Sequence, residues 1–456
     1  MKKLILAVCL LTNLCYLAKA QTGTWSGDVE LYGMKLPIIF HLDEQKPTMD
    51  VPDQSAIGVP VQVERGEAGK ITITIAATGA TYKGELKDGV IEGTYTQMGN
   101  SLPLNLAPGV RKRNRPQTPK APFPYTQEEV SFSNGDVVLK GTLTLPSKCS
   151  RNNYLWGHDT APIGTIPQPP KCPRNTLALV MVTGSGPQNR DSELFVHKPF
   201  AVLADALARA GYVTLRYDDR GFGESTGNVA TATVDDSKGD ALAAIELLRK
   251  RFDRVGVIGH SEGGTIAMML AHERNVDFAV SLAGMAVSGE ETLIWQTALA
   301  LSAAGVAQAD IDKYSQLLRD AYSALRTDSP LPSAEGRDLP PMLVQSYMGV
   351  MPQMQNPYFK RFISLDMRPL LNGIDCPLLA LNGTKDQQVE PQSNLKALRD
   401  ALEGKKGSKV VAIEGLNHLF QHSTTGLASE YREIEETFAP QAIELIVNWL
   451  NGLRLP

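Results

Sequence analysis

The stretch Val257-Ile258-Gly259-His260-Ser261-Glu262-Gly263-Gly264 decides how the chain is read. It contains Gly-x-Ser-x-Gly, a pattern that a chain of this length shows by accident roughly 0.1 to 0.2 times at average glycine and serine usage. The motif alone proves little, so its flanks carry the weight. Arg254 to Ile258 reads as a β-branched strand and Thr265 to Leu270 as a helix, which puts the serine between them. That context predicts a strained turn lifting the Ser261 side chain above a sheet at a helix N-terminus, where the backbone dipole favours developing negative charge. Glycines two residues to either side let neighbouring backbone pass close by.

A serine hydroxyl is a poor nucleophile until a base takes its proton, and that base must be oriented by a carboxylate. In a strand-turn-helix setting the chain order is serine, acid, histidine. The apolar strand Leu378 to Leu381 runs into Asp386, and the strand Val410 to Ile413 runs into His418. Both residues follow the carboxyl end of a strand, as Ser261 does, so all three reach one edge of a parallel sheet. Ser261, Asp386 and His418 are the candidate catalytic set. Glu390 is a reserve acid and His422 an alternative base, whereas Asp375 precedes its strand and falls at the opposite edge. His260 reads as a packing residue, and His197 and His272 as structural or exposed. The oxyanion donors are expected to be the backbone N-H groups of Glu262 and of Ser185, with Gly186 as the alternative, because the Gly-rich loop Thr183 to Pro187 follows another apolar strand.

Outward from this core the organisation has several parts. Strands alternating with helices from Leu177 onward imply a parallel sheet covered on both faces. Residues 288–371 interrupt that rhythm with helical periods over Leu293 to Ala304 and Asp310 to Leu325, then a segment rich in Pro and Met. This is a cap insertion whose methionines and aromatics either line an apolar acyl pocket or pack cap onto core. Before the core, residues 21–110 read as short alternating strands with no helical period, a small β domain, and the Pro-rich residues 111–125 read as a semi-rigid linker. The expected fold class is α/β, a parallel sheet covered on both faces with a helical cap, after a small all-β domain.

At 456 residues, 43% hydrophobic and a formal charge of -4, the chain is globular and long enough for two domains. The densest basic cluster, Arg111-Lys112-Arg113-Asn114-Arg115, is too small for a nucleic-acid footprint and reads as solvated linker. Residues 1–20 have the form of a cleaved leader: Lys2-Lys3, an apolar run from Leu4 to Leu17, and Ala18-Lys19-Ala20 before Gln21. The run is too short to span a bilayer comfortably, so an exported protein, periplasmic or extracellular and without stable membrane insertion, is expected. Cleavage leaves Cys149, Cys172 and Cys376. In an oxidising compartment the first two either close the loop between them or stay free, and Cys376 reads as a small buried hydrophobe. No Cys/His pattern points to a metal, and the chemistry requires no cofactor.

Taken together, Gly184-Ser185-Gly186-Pro187-Gln188-Asn189-Arg190-Asp191, His197-Lys198-Pro199-Phe200, Arg216 to Ser225, the serine turn and Leu416-Asn417-His418-Leu419-Phe420-Gln421 resemble secreted bacterial α/β-hydrolase esterases of the wider prolyl oligopeptidase-related set. Those proteins carry an N-terminal lipocalin-like β domain. The resemblance spans most of the chain and implies carboxylic ester hydrolysis by Ser261, Asp386 and His418 on a small-molecule substrate. Asn189 stands where the similar loop usually has Asp, and the Cys149 to Cys172 loop looks like an insertion. Asp218-Asp219-Arg220 reads as a turn held by an internal Asp-Arg pair. A serine peptidase is the rival activity, with Glu290 and Glu291 available for a substrate amine. A binding protein with a silent core is the third reading. Activity that rises as the histidine loses its proton is expected for the hydrolase.

Overall fold

The computed structural model describes residues 21–31, 34–43, 45–52, 56–97, 99–110, 113–149, 172–173 and 175–454. The leader expected at 1–20 and the interior of the Cys149 to Cys172 loop lie outside the described residues. The chain divides into two compact units, with the boundary between Asn114 and Arg115.

The first unit is all antiparallel β. Its strands form two five-stranded sheets in which sequence neighbours pair, and Ala107–Pro108 returns to pair with Thr24–Leu31. Inward residues alternate along Lys70–Ile75, where Ile71, Ile73 and Ile75 are buried, the period-2 signature of a sheet with one apolar face. These join Trp25, Phe40 and Tyr82 in a single core. Thr48–Val51, Ala56–Pro60 and Gln62–Arg65 also form strands, although Pro47, Pro52, Gly58 and Pro60 break their alternation.

The second unit is built on an eight-stranded sheet. Its strands, numbered within this unit, are β1 (Tyr125–Asn134), β2 (Val137–Pro146), β3 (Leu177–Val182), β4 (Val213–Tyr217), β5 (Arg254–His260), β6 (Ala279–Leu282), β7 (Leu378–Gly383) and β8 (Lys409–Ile413). Their spatial order is β1-β2-β4-β3-β5-β6-β7-β8. β1 and β2 are antiparallel, and β4 onward is parallel. The helices around the sheet are α1 (Pro199–Arg209), α2 (Val234–Arg249), α3 (Glu262–His272), α9 (Pro391–Leu402) and α11 (Pro440–Arg454), with the short α10 (Ala428–Tyr431) before the last.

Both faces of the sheet are covered, and β3 shows how. Ala178, Val180 and Val182 pack with residues of α2, α3 and α9, whereas Leu177, Leu179 and Met181 pack with α1 and α11. A strand apolar on both faces is the parallel-sheet pattern. The chain runs from β3 outward to β4, then crosses back to β5 on the other side of β3. That reversal leaves a crevice at the carboxyl ends of β3 and β5, the place where open α/β sheets bind ligands.

Between β6 and β7 lies the cap: α4 (Gly289–Ala303), α5 (Gln308–Arg326), α6 (Pro341–Met354), α7 (Pro357–Ile363) and α8 (Arg368–Leu371). It has its own core around Tyr314, Leu317, Leu318, Leu343 and Tyr347. Among its methionines, Met354 is buried in that core while Met342 and Met348 are exposed, and none lines the cavity beside the serine.

The expectation that the basic cluster Arg111 to Arg115 is solvated is corrected at Arg115. Arg115 is buried, and its guanidinium donates to the carbonyls of Ile434, Phe195 and Arg432. Gln117 likewise bonds Thr437 N and Phe438 N and O. These bonds to backbone groups fix the start of the second unit. Cys149 and Cys172 form a disulfide. Cys376 is half-buried, and burial pushes its thiol up to about 11.

Candidate active site

Ser261 is the residue between β5 and α3, at φ 57° and ψ -119°. A non-glycine residue with positive φ outside the left-handed helical well is strained, and here the surroundings enforce it. A Cβ on Gly259 would lie 1.9 Å from the Gly263 carbonyl oxygen, and one on Gly263 would lie 2.1 Å from that of Val182. Only glycine fits at either place, so the turn is as tight as the sequence pattern required. Ser261 N donates to Leu282 O, and its own carbonyl accepts from Gly264 and Thr265 as the first turn of α3.

Asp386 lies three residues beyond β7 and His418 five beyond β8, so both loops emerge at the same sheet edge as Ser261. They meet in a buried contact: His418 Nδ1 stands 2.8 Å from Asp386 Oδ2. The other carboxylate oxygen accepts from Gln388 N and Val389 N at 2.8 and 2.9 Å, which fixes the plane of the acid. With Nδ1 donating to the carboxylate, Nε2 is the nitrogen left to act as a base. The loop carrying His418 is held from within, since Asn417 Oδ1 accepts from Leu419 N and Gln421 N. Among the described residues Ser261 Oγ makes no hydrogen bond to His418. Catalytic hydrogen bonds are often long until substrate is bound.

The rivals for these roles have other partners. Asp375 is exposed and pairs with Arg274. Glu390 caps α9 by accepting from Gln392 N and Ser393 N. His422 is exposed and pairs with Glu436. His197 is buried between Thr437 and the Tyr431 carbonyl, and His272 ends α3 far from its N-terminus. His260 has a supporting place: its Nε2 donates to the His418 carbonyl at 2.8 Å and its ring lies 4.8 Å from that of His418. Burial holds it near 4, so it is neutral at ordinary pH.

The loop Thr183 to Gln188 after β3 passes beside the elbow, where a Cβ on Gly184 would lie 3.1 Å from Ser261 Cβ. Among the described residues the N-H groups of Ser185 and Glu262 have no protein acceptor, as expected at the start of a helix and in an open loop. The reading of Asp218-Asp219-Arg220 as an internally paired turn is corrected. Asp218 accepts from Arg190, and Arg220 turns to Asp240 and Asp236. Asp219 accepts from the Thr183 hydroxyl at 2.7 Å and from Gln188 N at 2.8 Å, so it clasps the two ends of the loop. Burial pushes its carboxyl up to about 7. Asn189 sits outside this clasp, accepting from Asp191 N and Glu193 N.

A cavity of about 240 Å³ opens beside the elbow, bounded by the 183–187 loop, Glu262 and Ile266 of α3, Tyr217 and the cap residues Asn356 and Tyr358. Sequence reading missed Asp219 as the clasp and Tyr358 as a wall. Among the described residues no cluster of three His, Cys, Asp or Glu side chains could hold a metal, and no helix is long and apolar enough to cross a membrane.

Residues 179–424 match the family described as alpha/beta hydrolase fold. A stretch of 291 residues is 28% identical to Esterase EstD of Thermotoga maritima, covering 63% of this chain. The chain spans about 60% of the length of that relative. Among solved structures, an esterase of Pyrococcus furiosus is 15% identical at a TM-score of 0.41, over 75% of this chain and 98% of its own. A proline iminopeptidase of Mycobacterium smegmatis is 14% identical at 0.43, over 72% and 99%. These two likenesses, one to an esterase and one to a peptidase, do not choose between the activities.

Proposed function

The chain belongs to the alpha/beta hydrolase fold family, and from that membership we propose that it is a serine carboxylic ester hydrolase working through an acyl-enzyme. Ser261 Oγ attacks the ester carbonyl while His418 Nε2 takes its proton. Asp386 holds the imidazole and stabilises its cation. The N-H groups of Glu262 and Ser185 receive the oxyanion, and each such donor is worth about 3 to 4 kcal/mol in the transition state. His418 then protonates the leaving alcohol, and water releases the acyl group by the same steps reversed.

The observation that carries this reading is the buried 2.8 Å bond from His418 Nδ1 to Asp386 Oδ2, at the sheet edge that also bears the strained Ser261. The 28% identity to an esterase supports the ester as substrate. The peptidase reading relied on Glu290 and Glu291 for a substrate amine. Glu290 instead pairs with Arg326, and Glu291 caps α4 through Ser288 and pairs with Arg368. The disulfide and the leader-like residues 1–20 support export to an oxidising compartment. The test is hydrolysis of p-nitrophenyl esters from acetate to decanoate by wild type and Ser261→Ala. Turnover lost in the variant is expected, and folded wild-type protein inert on every ester would refute the proposal.

A further inference from the structure

Resting on the ester hydrolase reading, we infer that the cavity beside the elbow is the acyl pocket and that the Glu262 carboxyl and Tyr358 hydroxyl form a polar wall selecting hydroxylated acyl groups. Glu262 directly follows the nucleophile, so an acyl group on Ser261 starts next to it. Its side chain is buried, and Tyr358 of the cap donates to Oε2. That bond ties the cap to the elbow. Among the described residues Glu262 Oε1 has no hydrogen-bond partner, although Glu262 lines the cavity.

The rest of the wall is largely apolar, with Val182, Tyr217, Val229 and Ile266. An alkyl chain filling this space would strip water from Oε1 and return no hydrogen bond, which is the costly way to bury a polar atom. A hydroxyl on the acyl chain restores the bond. Burial pushes the Glu262 carboxyl up to about 7, so both protonation states are populated near neutral pH. A hydroxyl serves either, because it donates to a carboxylate and accepts from a carboxylic acid. An ammonium can only donate, so it is held strongly by the ionised form and cannot accept from the acid's O–H. Asp219 and Asp240, the other buried acids in the wall, already have both oxygens engaged, the first by Thr183 and Gln188 and the second by Arg220 and Asn134.

The test compares kcat/KM for ethyl butyrate with that for ethyl 2-hydroxybutyrate, ethyl 3-hydroxybutyrate and ethyl alaninate by pH-stat, in wild type, Glu262→Leu and Tyr358→Phe. The ratio within each protein is the readout, so general damage to catalysis or folding cancels. Wild type is expected to favour at least one hydroxy ester by about ten-fold or more. Glu262→Leu should remove that preference, and Tyr358→Phe should weaken it. A wild-type ratio near one, or a preference unchanged in both variants, would overturn the inference while leaving ester hydrolysis intact. Preference for ethyl alaninate over both hydroxy esters would overturn it in favour of an amine site. No turnover of any ester would remove the hydrolase reading and this inference with it.

Discussion

Replacing Asp386 by Asn changes one heavy atom and should nearly abolish the proposed ester turnover. The carboxylate has two jobs: one oxygen accepts from Gln388 N and Val389 N, and the other bonds His418 Nδ1. An asparagine has one oxygen. Two backbone N-H groups claim it, because turning the amide round would set its NH2 against both donors. The NH2 must then face Nδ1, which can accept only if the imidazole proton moves to Nε2. The nitrogen meant to deprotonate Ser261 is now occupied, and the stabilising charge is gone. In this arrangement such a change costs about 10⁴ in kcat, or roughly 5 kcal/mol of barrier. The backbone contacts survive, so the melting temperature should shift by no more than about 4 °C. The assay is p-nitrophenyl butyrate turnover beside a thermal melt. A folded Asp386→Asn protein within ten-fold of wild type would refute the reasoning.

Three other outcomes follow from the same geometry. Gly263→Ala should destabilise by about 3 kcal/mol or more, since its Cβ would meet the Val182 and Thr183 carbonyl oxygens at 2.1 and 2.4 Å; an unchanged denaturation midpoint would contradict the tight elbow. Stability should fall as pH rises through about 7, because the native state holds the Asp219 carboxyl up to about 7 against 3.8 unfolded, so its contribution is complete below about pH 4 and lost above. Asp219→Asn should flatten urea midpoints between about pH 4 and 7, and an identical slope would count against the clasp. His260→Ala should lower kcat by about ten-fold with little change in KM, through loss of its bond to the His418 carbonyl; a change confined to KM would place His260 on the substrate instead.

How far the site could be read from sequence depended on the distance between partners. The elbow was legible because strand, glycines and helix are contiguous, and Asp386 and His418 because each closely follows an apolar strand. The partners of Asp218, Asp219 and Arg220 were not, since they lie 28, 31 or 36 residues upstream, or 16 and 20 downstream. Adjacency suggested that Asp and Arg pair with each other, but residues consecutive in the chain face different neighbours. Tyr358 and Glu262 are separated by 96 residues, and only the docking of α7 brings them together. The helix α6 was hidden by its prolines: Pro341 occupies the first turn, where no N-H is needed, and Pro352 falls in the last.

The most direct test of Ser261 as an activated nucleophile is covalent capture. Wild-type protein would be treated with a fluorophosphonate and the adduct located by peptide mass spectrometry, beside Asp386→Asn and His418→Ala under the same conditions. A single adduct on Ser261, slowed by orders of magnitude in both variants, is the expected result. Labelling at another residue, or at Ser261 with equal speed in all three proteins, would contradict a nucleophile driven by His418 and Asp386.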